Sequence, residues 1–197
     1  MVRKFPESTV ILQRMVDAVE QVRRRLQLAV GALCSAGVRY AIVGGNAVAA
    51  WVATIDETAV RNTQDVDVLV RRADFDRVRA ALESVGFVYR KAAGLDLFLD
   101  HDKARPSQAV HLVFAGEIVR PGEPTSKPDV DESSDLGAFR VLNLEALVRI
   151  KLTAFLDKDR THLRNLIGVG LIDPTWAARY PGVLGQRLQS ILDTPDG

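Results

Sequence analysis

The spacing of apolar residues first separates a long helical segment from the rest of the chain. Apolar residues recur every three or four positions from Glu7 to Ala36, which predicts one long amphipathic helix. Ser8 can cap the start of this helix and Gly37 can end it. Arginines 23 to 25, in its middle, point in different directions around a helix, so we expect them to form a solvated face.

The remaining pattern alternates strands with helices. The apolar run from Val38 to Val43 predicts a buried strand that enters a tight turn at Gly44-Gly45. The segment from Pro121 to Gly137 is rich in Pro, Ser, Asp and Glu, and an exposed loop is expected there. Further strands are predicted at 65–70, 87–90, 95–100 and 110–114, and further helices at 46–54, 74–85, 144–166 and 185–192.

This order of elements predicts an α/β or α+β fold in which helices flank a mixed β-sheet. We expect residues 1–143 to form the core domain, which includes the long N-terminal helix. Residues 144–197 are expected to form a helical C-terminal extension that packs on this core as part of the same structural unit.

Composition narrows the class of protein. The chain has 197 residues, of which 47% are hydrophobic and 26% charged, as in a globular domain. Lys plus Arg number 26 and Asp plus Glu 25, and this balance gives no support to a dedicated nucleic-acid binder. The lone Cys34 excludes an internal disulfide and a cysteine-based zinc site. Without a membrane-length apolar stretch or a signal peptide, we expect a cytoplasmic protein that has no membrane partner.

The glycine pair has two interpretations. Gly44 and Gly45 stand between a predicted strand and a predicted helix. Glycines at this place let backbone N–H groups approach a phosphate, and the positive end of the new helix points at the same spot. Many strand-to-helix turns, however, use two glycines for geometry alone, so the pair does not by itself decide between these interpretations.

Two aspartates on the next strand also have two interpretations. Asp65 and Asp67 are two positions apart, so their carboxylates project from the same face of the strand. Two anions at this distance repel each other unless a cation lies between them, and magnesium favours carboxylate and phosphate oxygens. Alternatively, the strand is an edge strand whose wet face tolerates Asp.

Taken together, these features resemble the nucleotidyltransferase superfamily of the DNA polymerase beta type. In its signature, an apolar residue and Gly-Gly or Gly-Ser precede a helix, and the next strand carries Asp-apolar-Asp. The residues that match here are Val43, Gly44, Gly45, Asp65, Val66 and Asp67. The chain is similar in more detail to one branch of this superfamily, the abortive-infection and toxin-like nucleotidyltransferases. The residues that carry this similarity are Arg61 and Thr63 before the aspartates, and Lys151 and the Lys158-Asp159 pair after them.

The resemblance implies a nucleotidyltransferase-type fold and the magnesium-dependent transfer of a nucleoside monophosphate from a nucleoside triphosphate to an acceptor. Asp65 and Asp67 would hold magnesium in a site that can take two ions and in which manganese can substitute. The residues that it places at the nucleotide are Gly44, Gly45, Asn46, Arg61, Thr63 and Lys151. Acceptors in the superfamily include tRNA ends, protein side chains and small molecules. The toxin-like branch adds a cognate antitoxin as an expected partner, in a toxin–antitoxin or phage-defence pair.

The chain departs from the family pattern at the third catalytic carboxylate. The strand expected to carry it has His111 at the matching position, and an imidazole is a softer ligand than magnesium prefers. Either His111 is the third catalytic residue, or Asp96 or Asp100 supplies the carboxylate. In a third alternative, the chain is a catalytically impaired nucleotide-binding or protein-interaction module on the same fold. His162 similarly stands where the family has a second Asp, and a helix surface is its expected place.

Overall fold

The computed structural model describes residues 8–92 and 94–194. Within these ranges the chain has the predicted mixed α/β fold, with seven strands and six α-helices. None of the helices in this part of the chain is long and apolar enough to cross a membrane. The helices are α1 (Ser8–Ser35), α2 (Gly44–Ala53), α3 (Phe75–Ser84), α4 (Leu144–Ala154), α5 (Asp157–Gly168) and α6 (Val183–Leu192). The strands are β1 (Tyr40–Val43), β2 (Val66–Val70), β3 (Val88–Ala92), β4 (Leu95–Leu99), β5 (Val110–Phe114), β6 (Ser133–Asp135) and β7 (Arg140–Leu142).

All seven strands form one mixed sheet in the order β3-β4-β5-β2-β1-β7-β6. Strands β2 and β5 run parallel, as do β1 and β7, and the other neighbours are antiparallel. The central strands are made almost wholly of buried Val, Ile, Leu and Ala, because helices cover the sheet. The predicted start of α1 at Glu7 lies outside the described residues.

Strand register brings three positions of the central sheet side by side. In the antiparallel β1–β2 pair, Val43 lies opposite Asp67. In the parallel β2–β5 pair, Asp67 lies opposite His111. The chain leaves β1 directly into Gly44, so the start of α2 also lies beside these positions.

The predicted C-terminal helical segment is divided in two. Phe155 separates α4 from α5 and has φ of 50°, the single positive φ of a non-glycine residue in the described ranges. Both helices contact α2, so the helix that begins at Gly44 lies between the sheet and the C-terminal helices. The apolar periodicity correctly predicted helix here, but it does not reveal the two-residue break at Phe155 and Leu156.

The prediction of an exposed loop from Pro121 to Gly137 was wrong in part. This segment contains β6, and it buries Val130 and Lys127. The ammonium of Lys127 donates to Glu123 at 2.9 Å, which compensates its buried charge. A polar composition predicted solvent exposure, whereas pairing with β7 and a local ion pair let the polar residues enter the fold.

The expected solvated face of α1 was wrong for Arg25, whose side chain is 3% exposed. Its Nε and Nη2 donate to the two carboxylate oxygens of Asp100 at 2.8 and 2.5 Å. Its Nη1 donates to the main-chain oxygen of Gln64 at 3.1 Å, immediately before Asp65. One arginine of α1 therefore anchors both the end of β4 and the segment that enters β2.

We expect Arg25→Ala to lower the free energy of unfolding by about 2 kcal/mol, because it leaves Asp100 and the Gln64 carbonyl without their partner. The matched control is Arg24→Ala, since Arg24 is exposed and should change stability by less than about 0.5 kcal/mol. Urea unfolding measures both variants. Equal stability of the two would contradict an anchoring role for Arg25.

Candidate functional site

Two aspartates and a histidine come together where β2 and β5 pair. One ligand atom from each of Asp65, Asp67 and His111 lies within 4.8 Å of the others. His111 Nδ1 is 3.5 Å from Asp67 Oδ1 and 3.9 Å from Asp65 Oδ2. The three side chains are between 18% and 26% exposed, so solvent and a ligand can reach them. Two carboxylates and an imidazole at these distances fit a divalent cation, whose identity the arrangement does not show.

The ring of His111 is oriented by the main chain. Its Nε2 lies 2.8 Å from the carbonyl oxygen of Pro106, which can only accept a hydrogen bond, so Nε2 carries the proton. In the neutral ring, Nδ1 then presents its lone pair to Asp65 and Asp67. Metal-binding histidines commonly have such a partner on the second nitrogen.

Without a cation, His111 and Asp67 stabilise each other's charged forms. The hydrogen bond with Asp67 raises the pKa of His111 above its ordinary value, against the effect of burial. Burial by itself would raise the pKa of Asp67. The His111 hydrogen bond and the charge of Lys151 more than offset this, and the pKa of Asp67 lies below its ordinary value.

The glycine pair is required by close contacts as well as by the turn. Gly44 has φ of 67°, and a Cβ on it would overlap the carboxylate of Asp67. A Cβ on Gly45 would lie 2.9 Å from the Cβ and the hydroxyl of Thr63. Both positions therefore exclude a side chain, and the N-terminus of α2 approaches the two aspartates closely.

Two of the residues predicted to lie at the nucleotide contact Asp65. The Asn46 side chain donates to the main-chain oxygen of Asp65 at 2.7 Å. The Thr63 hydroxyl donates to Asp65 Oδ1 at 2.6 Å. They fix the position and orientation of the first aspartate, a supporting role that the sequence motif did not reveal.

Lys151 is buried near the same site, and its ammonium donates to Asp159 at 3.0 Å. Asp159 also accepts from the main-chain N–H of Leu156 at 3.2 Å and so caps the start of α5. Lys151 therefore links α4 to α5, besides contributing positive charge near Asp67. The family resemblance had placed Lys151 at the nucleotide and did not indicate this link between helices.

A cavity of about 380 Å³ opens beside Asp67. Its lining includes Gly44 at the start of α2 and the two lysines Lys151 and Lys158, together with the acidic residues Asp96, Glu117 and Glu123. Lys158 is exposed and was not assigned to the site from the sequence, although the Lys-Asp pair was the available signal. This combination of cations and a helix N-terminus suits a phosphorylated ligand.

A second cavity, of about 190 Å³, lies on the Gly45 side of the helix start. Thr63, Arg61 and His162 line it. His162 is half-buried rather than on the helix surface, and its Nδ1 is buried without a hydrogen-bond partner. Burial, followed by the charge of Lys151, lowers the pKa of His162 to about 4, so the ring is neutral at pH 7.

Neither alternative carboxylate belongs to the Asp65–Asp67–His111 group, although Asp96 lines the same cavity as Asp67. Asp100 is held by Arg25. Asp96 accepts from the Tyr89 hydroxyl at 2.6 Å, and strand alternation places it on the face of the sheet opposite His111. His111 is thus the third side chain of the group, and the hypothesis that Asp96 or Asp100 replaces it was wrong.

The fold is that of nucleotidyltransferases. The chain is similar to the solution structure of the antibiotic-resistance factor ANT(2'')-Ia, with a TM-score of 0.56 and 14% identity over 90% of this chain and 93% of that one. It is also similar to an antigenic nucleotidyltransferase-like protein from Paracoccidioides brasiliensis, with a TM-score of 0.53 and 20% identity over 91% of each chain. No protein-family model and no curated protein sequence matches the chain.

We expect Gly44→Ala to lower the free energy of unfolding by about 2–4 kcal/mol, because a positive φ and the overlap with Asp67 both oppose a Cβ. Divalent-cation binding should be lost in any folded fraction. The control is Gly31→Ala within α1, where the new methyl meets open space and should stabilise the helix by about 0.5–1 kcal/mol. Urea unfolding measures the stability of both variants, and calorimetry measures their affinity for a divalent cation. An unchanged cation affinity in Gly44→Ala would contradict the close approach of Gly44 to the Asp67 carboxylate.

His162 should make stability fall in acid. Because its folded pKa is about 4 and its unfolded pKa about 6.5, the unfolded chain binds the proton first as pH drops. The stability that the neutral ring contributes is present above pH 6.5 and is lost between pH 6.5 and 4, by about 2 kcal/mol.

Urea unfolding between pH 4 and 7 measures this loss. His162→Gln should flatten the slope in that window, whereas His101→Gln, in an exposed loop, should leave it as in the wild type. Parallel slopes for the wild type and His162→Gln would show that the buried ring does not titrate in this way.

Proposed function

We propose that this protein transfers a nucleoside monophosphate from a nucleoside triphosphate to a hydroxyl-bearing acceptor. The observation that carries the proposal is the Asp65–Asp67–His111 group at the N-terminus of α2, on a nucleotidyltransferase fold. A divalent cation held there would neutralise phosphate charge.

The protein's own groups complete a phosphate-binding environment. The first N–H groups of α2, at Gly44 and Gly45, would approach phosphate oxygens, since no side chain caps this helix. Lys151 and Lys158 would face the same oxygens from the larger cavity. Arg61, which lines the second cavity, would supply a further cation on the Gly45 side.

In the proposed reaction, the acceptor oxygen forms a bond to the α-phosphorus and the bond from this phosphorus to the bridging oxygen of pyrophosphate breaks. Pyrophosphate leaves with the bonding electron pair, and the hydroxyl proton passes to a nearby carboxylate oxygen or to water. The protein mainly supplies positioning and charge compensation, which are the dominant contributions in phosphoryl-type transfer.

The similarity of the Arg61–Asp67 segment to the toxin-like branch supports a place in a toxin–antitoxin or phage-defence pair. Expression of the chain alone should then arrest growth, and co-expression of a cognate antitoxin should restore it. Normal growth during strong expression of folded protein would contradict this assignment without affecting the transfer reaction.

We expect the wild type to bind a nucleoside triphosphate only when a divalent cation is present, and Asp65→Asn/Asp67→Asn to lose this binding by at least about tenfold. Calorimetric titration of the four ribonucleoside triphosphates measures it. Asp76→Asn, on the exposed side of α3, is the matched control and should bind as the wild type does.

The outcomes separate an enzyme from a binding module. Cation-dependent binding followed by pyrophosphate release with an acceptor supports the transferase. Binding without release under any acceptor would instead favour the catalytically impaired module, for which His111 is the motivating residue. Absence of triphosphate binding in folded wild-type protein would overturn the proposed function.

A further inference from the structure

The metal-binding group has a mixed donor set. Asp65 and Asp67 offer carboxylate oxygens, whereas the third side chain, His111, offers an imidazole nitrogen. Magnesium is a hard cation that takes oxygen ligands and keeps several waters. Imidazole, by contrast, is a ligand typical of first-row transition metals. The donor set therefore does not match the magnesium site that the sequence resemblance implied.

The nitrogen is aimed at the carboxylates by the fold. The parallel β2–β5 register places His111 opposite Asp67, and the Pro106 carbonyl holds the ring through Nε2. Because Nε2 carries the proton, the lone pair of Nδ1 points to the space that Asp65 and Asp67 share. This arrangement leaves Nδ1 available as a ligand while preventing Nε2 from acting as a base.

Within residues 8–92 and 94–194, no carboxylate takes the place of the imidazole, since Asp100 is held by Arg25 and Asp96 by Tyr89. The group consequently provides two negative charges rather than three. A lower ligand charge weakens the attraction for a hard cation such as magnesium, whose binding is mainly electrostatic. A transition metal loses less, because it gains from the bond to nitrogen.

We propose that this site selects a first-row divalent transition metal over Mg²⁺, with Mn²⁺ as the cation that it holds. Among these metals, Mn²⁺ is the one that carboxylate and water oxygens also suit. The inference concerns the cation of the proposed transferase and in that sense rests on the proposed function. Its test, however, measures metal binding alone, in the absence of nucleotide and of any transfer reaction.

The experiment is Mn²⁺ electron paramagnetic resonance on chelator-treated, nucleotide-free protein, with Mg²⁺ added as competitor. In the wild type, displacing bound Mn²⁺ should need at least about a tenfold excess of Mg²⁺. In His111→Asp, which provides a third carboxylate, Mg²⁺ should displace Mn²⁺ at a several-fold lower ratio of Mg²⁺ to Mn²⁺ than in the wild type. His101→Asp, in an exposed loop, adds the same charge elsewhere and should keep the wild-type ratio.

A second readout does not depend on the folding of a variant. Pulsed electron paramagnetic resonance of the wild type should show coupling between the bound Mn²⁺ and one imidazole nitrogen. Absence of nitrogen coupling, or equal affinities for Mg²⁺ and Mn²⁺, would overturn the inference and leave the proposed transferase in place. Binding of neither cation to folded wild-type protein would overturn the inference and remove the metal from the proposed function.

Discussion

Two carboxylates held close together at the start of one strand are the constraint around which this site is built. Asp65 and Asp67 repel each other, so each needs its own compensation before any ligand arrives. A hydroxyl from Thr63 satisfies the first, and His111 with the charge of Lys151 stabilises the second. The absence of a side chain at Gly44 lets the positive end of α2 approach as well.

Residues on the N-terminal and C-terminal helices help to hold the aspartates in place. Arg25, on the N-terminal helix, holds the main chain of Gln64 and so fixes where β2 begins. The pair of Lys151 and Asp159 joins two C-terminal helices while placing a cation near Asp67. Breaking either link would leave a charged group without its partner, so stability and site geometry are coupled.

The replacement of a carboxylate by His111 changes what the site can do more than it changes the fold. The strand register and the neighbouring apolar residues are those of a buried central strand, and the histidine fits them without distortion. With Nε2 protonated toward the Pro106 carbonyl, the other ring nitrogen, Nδ1, faces the two aspartates. The third side chain of this group is thus the point at which the protein departs from the family pattern that its sequence resembles.

The sequence by itself determined the class of fold and the centre of the site. Short-range patterns are sufficient there: strand alternation puts Asp65 and Asp67 on one face, and the glycine pair requires a turn. The tertiary structure alone decided the roles of Arg25, Lys127 and His162. Their partners or surroundings come from residues that helix and strand periodicity does not bring together. Sequence patterns predict that a charged residue is exposed, because its burial requires a partner that only the tertiary structure supplies.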